Sequence, residues 1–380
     1  MTMTSSSSQN FSGDRLRLAR VFSGLSQAEL GARVEVTHAS ISQAEHGLRQ
    51  PSPTVVEKMA VVLGFDVSFF YGGAPAEFRD DECYFRRRKT TPMGVRNKIL
   101  ASGTLFNEMV GLLDASVRLP AYDVPSIRVK TVEDIEVAAE RVREHWGLGL
   151  DAPIKNVTRV LERAGIVIAR FAASAGKIDA FSRAGTRGVI VLNTDKGSTS
   201  RARHDKGHEC GHLVMHGGLD HGSDEEEAQA DRFASAFLMP RAAFSREFPR
   251  PGLGRIRLEA LIPMKLRWRS SLAAIVRRAF DLRLIKPVQY QAAFKQYYAR
   301  HMHKGEQAEP PDEPPEVVSL AFKVLEDQGV TREDVVRRLG WTDAVLARVA
   351  PDLAPATITG PSNVIPFAQV KTRRPVRPPE

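Results

Sequence analysis

The chain has 380 residues, 42 % of them hydrophobic, enough for two or three ordinary domains with cores of their own. A formal charge of +9 has the sign of a protein that approaches polyanions. Two cysteines exclude a disulfide framework, and no apolar run reaches the roughly 20 residues that a membrane span needs. The Ser/Thr-rich start lacks the apolar core of a secretory signal, so the expectation is a cytoplasmic protein with no membrane partner.

Residues 1–13 read as a disordered leader. Over 14–73, apolar residues recur at helical spacing in short blocks. Leu25–Arg33 and Val36–Gly47 outline two short helices about a tight turn, with Leu30, Val36 and Ile41 as the small core between them. Thr37 is the expected N-cap of the second helix and Gly47 its left-handed stop. The exposed face of that helix offers Thr37, His38, Ser40, Ser42 and Gln43 to base edges, and Gln43 can bond adenine bidentately. Gln27, at the start of the first helix, is placed to meet a phosphate. Acidic and basic residues balance within the module, so its sequence-independent grip on DNA is expected to be modest.

Residues 74–128 read as a helical linker, with a helix over 93–118. Further helices are expected over 131–146, capped by Thr131, and over 153–164. The β-branched runs 166–171, 178–182 and 189–192 predict a small sheet. Helices return over 198–216 and 225–238, the latter stopped by Pro240. The region 251–305 reads as a basic helical extension to a domain spanning 129–250, with two helices broken at Trp268-Arg269-Ser270-Ser271. Its eight basic residues from Arg255 to Arg283 suit either a second phosphate contact or a solvated, partner-facing surface. An acidic, Pro-rich linker (306–316), a small helical unit (317–352) and a disordered tail (353–380) complete the chain. The fold class is multidomain, an all-α unit followed by an α+β domain with a small sheet and helical C-terminal segments.

His208-Glu209-Cys210-Gly211-His212 lies inside a predicted helix. Histidines four apart share a helical face and can both reach one Zn²⁺, and the Glu between them can deprotonate a metal-activated water. The next helix supplies a third ligand, Glu227, with Glu226 as the fallback, and Asp231 to orient a ligand histidine through its other ring nitrogen. The bland alternative is a surface histidine pair beside a helix start that favours acids through its dipole. His216 falls one turn beyond His212, and Cys210 points to another, buried face.

The segment 14–73 resembles the XRE family of helix-turn-helix repressors, with Glu35 standing where that family usually has Gly in the turn. Residues 200–240, with Arg201, Arg203, the histidine motif and Ala230-Asp231-Arg232-Phe233-Ala234, resemble the ImmA/IrrE metallopeptidases. Glu133-Asp134-Ile135, His145-Trp146-Gly147 and Leu266-Arg267-Trp268 extend the likeness, and Asp231 stands where that family commonly has Asn. The resemblance implies a zincin-like fold and a zinc metalloendopeptidase in which Glu209 is the general base. It implies a double-stranded DNA operator and a repressor-type protein substrate, cut in trans or within the same chain. Such repressors read two half-sites as homodimers, which makes a homodimer the default. Two other classes stay open: a transcription factor whose peptidase-like domain senses a metal or small ligand without hydrolysis, and a partner protein that works by binding alone.

Overall fold

The computed structural model describes residues 10–78, 83–85, 93–171, 180–185, 187–193, 197–217, 223–250 and 254–353. The expected leader before residue 10 and the tail after 353 lie outside the described residues.

Local capping chemistry sets the N-terminal unit. Helices α1 (Gly13–Ser23), α2 (Gln27–Arg33) and α3 (His38–Glu45) start at Ser12, Ser26 and Thr37, whose side chains each accept a backbone N–H of the first turn. At Ser26 the Glu29 carboxylate completes a capping box. Helix α4 (Pro53–Leu63) starts with Pro at a position that needs no N–H and ends at left-handed Gly64. The turn between α2 and α3 holds Glu35 at φ 59°, and Lys58 on α4 pairs with its carboxylate.

The chain then forms a three-residue strand β1 (Cys83–Phe85), the long helix α5 (Met93–Ser116), α6 (Val132–His145) and α7 (Val157–Arg163). Strands β2 (Val167–Phe171), β3 (Ala180–Arg183) and β4 (Val189–Asn193) follow, and the sheet order is β1-β3-β4-β2. Strands β2 and β4 are parallel, and the other two pairs antiparallel. The metal-ligand motif lies on α8 (Thr199–Met215), which packs against α9 (Asp224–Leu238). The short α10 (Arg241–Glu247), then α11 (Ile262–Trp268), α12 (Leu272–Asp281) and α13 (Pro287–Ala299), complete this domain. Arg269, at φ 52°, breaks the chain between α11 and α12, and Ser271 caps the second.

The C-terminal helices α14 (Val317–Asp327), α15 (Arg332–Leu339) and α16 (Asp343–Val349) return to the N-terminal unit. Thr342 donates to the Gly64 carbonyl at 2.6 Å, the Asp66 amide to Gly340 at 3.0 Å, and the Arg348 guanidinium to Phe22 at 2.8 Å. One hydrophobic core therefore runs through α1–α5, α14–α16 and one sheet face carrying Val167, Ala169, Phe181, Val189 and Val191. The opposite face, with Ile168, Ala180, Ile190 and Leu192, packs into a second core built on α6–α13. Alternation along the strands sends side chains into both cores, so strands buried on both faces read as continuous apolar runs.

The segment 306–316 is strapped onto the domain that holds α8. Glu309 accepts from the Ser200 amide and both the Ser198 and Ser200 hydroxyls, capping α8. Glu313 pairs with buried Arg203 and Lys206 on α8 and accepts the Val157 amide at the start of α7. Part of the basic extension is spent inside the molecule as well. Lys265 is buried against Glu306 and Glu309, and Arg278 forms a two-bond pair with Glu136 at 2.7 Å. Arg267 meets Glu247, and Arg277 meets Asp281. Among the described residues no helix is long and apolar enough to cross a membrane.

Candidate metal centre

The centre lies where α8 and α9 approach closely. Gly207 faces α9, and a Cβ there would come within 3.3 Å of Ala234. The Ser223–Glu226 capping box fixes the start of α9 and occupies the Glu226 carboxylate on its own helix end. The next residue, Glu227, is turned instead toward α8, and its oxygens lie 3.5 Å from His208 Nε2 and 3.5 Å from His212 Nε2. The two Nε2 atoms are 3.1 Å apart. Donor atoms about 2.0–2.1 Å from one tetrahedral ion sit about 3.3 Å from each other, so this triad has the spacing of a three-ligand zinc site. Both Glu227 oxygens are buried without a hydrogen-bond partner among the described residues, as ligand oxygens awaiting a cation would be.

Hydrogen bonds around the triad fix which nitrogen of each imidazole is free. Asp231 accepts from His208 Nδ1 at 2.8 Å, leaving Nε2 with its lone pair. For His212 the arrangement runs through two more residues. The Gln229 amide nitrogen donates to Glu225 at 3.2 Å, so its oxygen faces His216 and accepts from His216 Nε2 at 2.8 Å. His216 Nδ1 is then an acceptor, and it takes the Nδ1 proton of His212 at 2.9 Å. The His212 Nε2 lone pair is left pointing at the centre. With both Nε2 atoms deprotonated, two lone pairs and a carboxylate converge there, a set that suits a cation, and without one a proton on His208 takes its place.

The electrostatics follow from that convergence. Burial works against the charge on His208, but the Asp231 and Glu227 carboxylates outweigh it and lift its pKa to about 10. Burial drops His212 to about 4. Burial pushes Glu227 upward too, but the His208 and His212 rings 3.5 Å away prevail and hold it near 2. Glu209 is buried, and burial raises its carboxyl to about 8 against the opposing pull of His208 and Ser182. The Ser182 hydroxyl of β3 donates to Glu209 Oε2 at 2.6 Å. Cys210 is fully buried, and burial pushes its thiol up.

The structure thus brings His208, His212, Glu227 and Asp231 together, with Glu209 alongside. Ser182 and Gln229 were not foreseen. Ser182 lies on β3, beyond the reach of any helical spacing, and Gln229, on α9 between Glu227 and Asp231, has no ligand chemistry to single it out. On its α9 side the centre borders a cleft of about 1180 Å³, whose walls include Arg201, His204, Asp231, Tyr290 and Phe294.

In the N-terminal unit, Thr37, His38 and Gln43 are exposed on α3, with Ser40 and Ser42 partly so. Thr37 also serves as the cap, its hydroxyl bonded to Ser40 at 2.9 Å. Gln27 is half-buried and donates to Glu45 at 2.6 Å, and Glu45 in turn holds Arg20. The α3 face lies clear of the C-terminal helices, which pack at Gly64, Asp66 and Phe22.

Comparison with known proteins agrees with this geometry. Residues 13–68 match the model of a helix-turn-helix domain, and residues 161–279 match that of the IrrE N-terminal-like domain of peptidase family M78. Uncharacterized HTH-type transcriptional regulators of Sinorhizobium medicae and Rhizobium meliloti are each 32 % identical over 65 residues, 17 % of this chain. The chain spans about half the length of these relatives, 47 %. The protein therefore carries a helix-turn-helix domain at its N-terminal end and an IrrE-like, metallopeptidase-type domain after it.

Proposed function

We propose that this protein is a DNA-binding transcriptional regulator whose IrrE-like domain holds zinc and hydrolyses a peptide bond of a repressor-type protein, in trans or in its own chain. The observation that carries the reading is the convergence of the His208 and His212 lone pairs with the unpartnered Glu227 carboxylate, at mutual distances of 3.1 to 3.5 Å. Zinc bound there would supply Lewis acidity toward a peptide carbonyl and lower the pKa of water. His208, His212 and Glu227 would hold it, with Asp231 and the His216–Gln229 pair fixing the two rings.

Glu209 is the proton carrier. Its buried carboxylate follows ligand His208 on α8 and can take a proton from the attacking water and return it to the leaving amine. Ser182 holds the carboxylate in one rotamer for both transfers. In the DNA-binding unit, Thr37, His38, Ser40, Ser42 and Gln43 read the major groove, Gln27 approaches phosphate, and a homodimer spans two half-sites. The protein works in the cytoplasm.

The near-complete burial of His208, Glu209 and His212 favours one alternative, a closed metal or small-ligand sensor that hydrolyses nothing. Elemental analysis and one variant separate the readings. About one zinc per chain is expected, lost in the His208→Ala, His212→Ala double variant. Glu209→Gln should keep the zinc and lose all cleavage of repressor-type substrates. A chain that takes up no zinc sinks the hydrolytic reading, and a Glu209→Gln variant that regulates normally leaves only the sensor.

A further inference from the structure

Strand β1 has no sequence neighbour in the sheet. It pairs antiparallel with β3, nearly a hundred residues downstream, in the register Cys83↔Arg183, Tyr84↔Ser182, Phe85↔Phe181. Without it, β3 would be the edge of the sheet and present unpaired N–H and C=O groups to any extended chain. That edge lies beside the reactive groups, because Ser182, opposite Tyr84, is the residue whose hydroxyl holds Glu209. A backbone paired at Ser182 runs about 4.8 Å from β3, one strand spacing. Any peptide laid along β3 by strand addition would take the path that residues 83–85 occupy. The reactive groups are themselves buried, with His208 4 %, Glu209 2 % and His212 1 % exposed.

We infer that the outer edge of β3 is a binding edge for an extended peptide, and that residues 83–85 are its built-in competitor. The inference rests on the hydrolytic reading for what the incoming peptide is for, but not for whether the edge is exchangeable. Three residues are at the short end of strand lengths, so the grip is weak for each chain that must displace it. Being tethered, the strand nevertheless returns at high effective concentration. The domain thereby stays shut to chains that pair poorly and opens to one that exchanges with β1.

The test uses the full chain in a Glu209→Gln background, so that nothing is cleaved, with Tyr84→Pro and Phe85→Pro made singly. Neighbouring strand N–H groups point opposite ways, so one of the two prolines removes a donor aimed at β3. That variant should exchange the amides of 180–183 at least tenfold faster than its parent, with zinc content and helicity unchanged. A synthetic peptide of residues 79–89, added at millimolar concentration, should restore slow exchange. Unchanged protection in both variants overturns the inference, as does failure of the peptide to restore it. Loss of the hydrolytic reading alone, seen as no cleavage by the Glu209 parent, leaves the exchange result intact.

Discussion

Gln229 and His216 are linked by a 2.8 Å hydrogen bond, and that bond decides which nitrogen of His212 faces the metal centre. Gln229→Leu removes the acceptor, frees His216 to turn its proton toward His212, and frustrates the ligand tautomer. Zinc affinity should fall about 10- to 100-fold, the usual effect of losing an outer partner of a ligand. Competition with a chromophoric chelator measures it, and an unchanged affinity would show that His212 is oriented by packing alone.

The exposed side chain of Gln43 on α3 predicts sequence reading by that residue. Selection of bound sites from a random DNA pool should give a consensus for the parent chain. Gln43→Ala should relax one base position, a loss of about 1–3 kcal/mol in discrimination, while the remaining positions hold. A variant with the same consensus would remove Gln43 from base contact.

Glu313 neutralises two cations on the back of the metal helix, Arg203 and Lys206, all three buried. Glu313→Ala would leave both charges stranded, and breaking a buried pair from one side costs about 3–5 kcal/mol. The urea midpoint of the metal domain should drop accordingly, and zinc should be released at lower urea than from the parent. A midpoint within error of the parent would mean that water reaches this cluster.

Glu162 accepts two backbone N–H groups at the start of α14, from Glu316 and Val317, both on one oxygen at 2.9 Å. Burial nevertheless raises its pKa. A carboxyl whose folded pKa lies above its unfolded value weakens the folded state as pH rises through that interval. Glu162→Gln keeps an oxygen for both amides and carries no charge, so it should be more stable than the parent at pH 8. The difference should shrink as pH falls toward the ordinary carboxylate range. Urea titrations at pH 8 and pH 4.5 decide it, and a variant less stable at both values would refute the sign.

The residues of the metal motif were legible because helical periodicity places His208 and His212 on one face and Glu227 and Asp231 on one face of the next helix. Gln229, between them on the same helix, has no ligand chemistry to single it out, and periodicity carries no information about partners from elsewhere in the chain, so Ser182 stayed hidden. The same blindness explains the basic extension. Lys265 and Arg278 look like a solvated surface in sequence, yet both are buried against acids contributed by 306–309 and by α6. Strand β1 was missed because three β-forming residues inside a charged run are too few to show alternation.

The last helices also have a temporal consequence. Arg348 lies 4.0 Å over the Phe22 ring, and left-handed Gly340 sits so close to Phe69 that an added Cβ would come within 2.7 Å of its amide nitrogen. These covers are synthesised some 270 to 330 residues after the residues they cover, an interval of roughly 14–65 s on the ribosome. Until then a nascent chain presents DNA-reading helices on an apolar flank with nothing over it. A message cut short after the metal domain would therefore yield a protein with its recognition helix intact and its flank sticky, a natural target for chaperones and proteases.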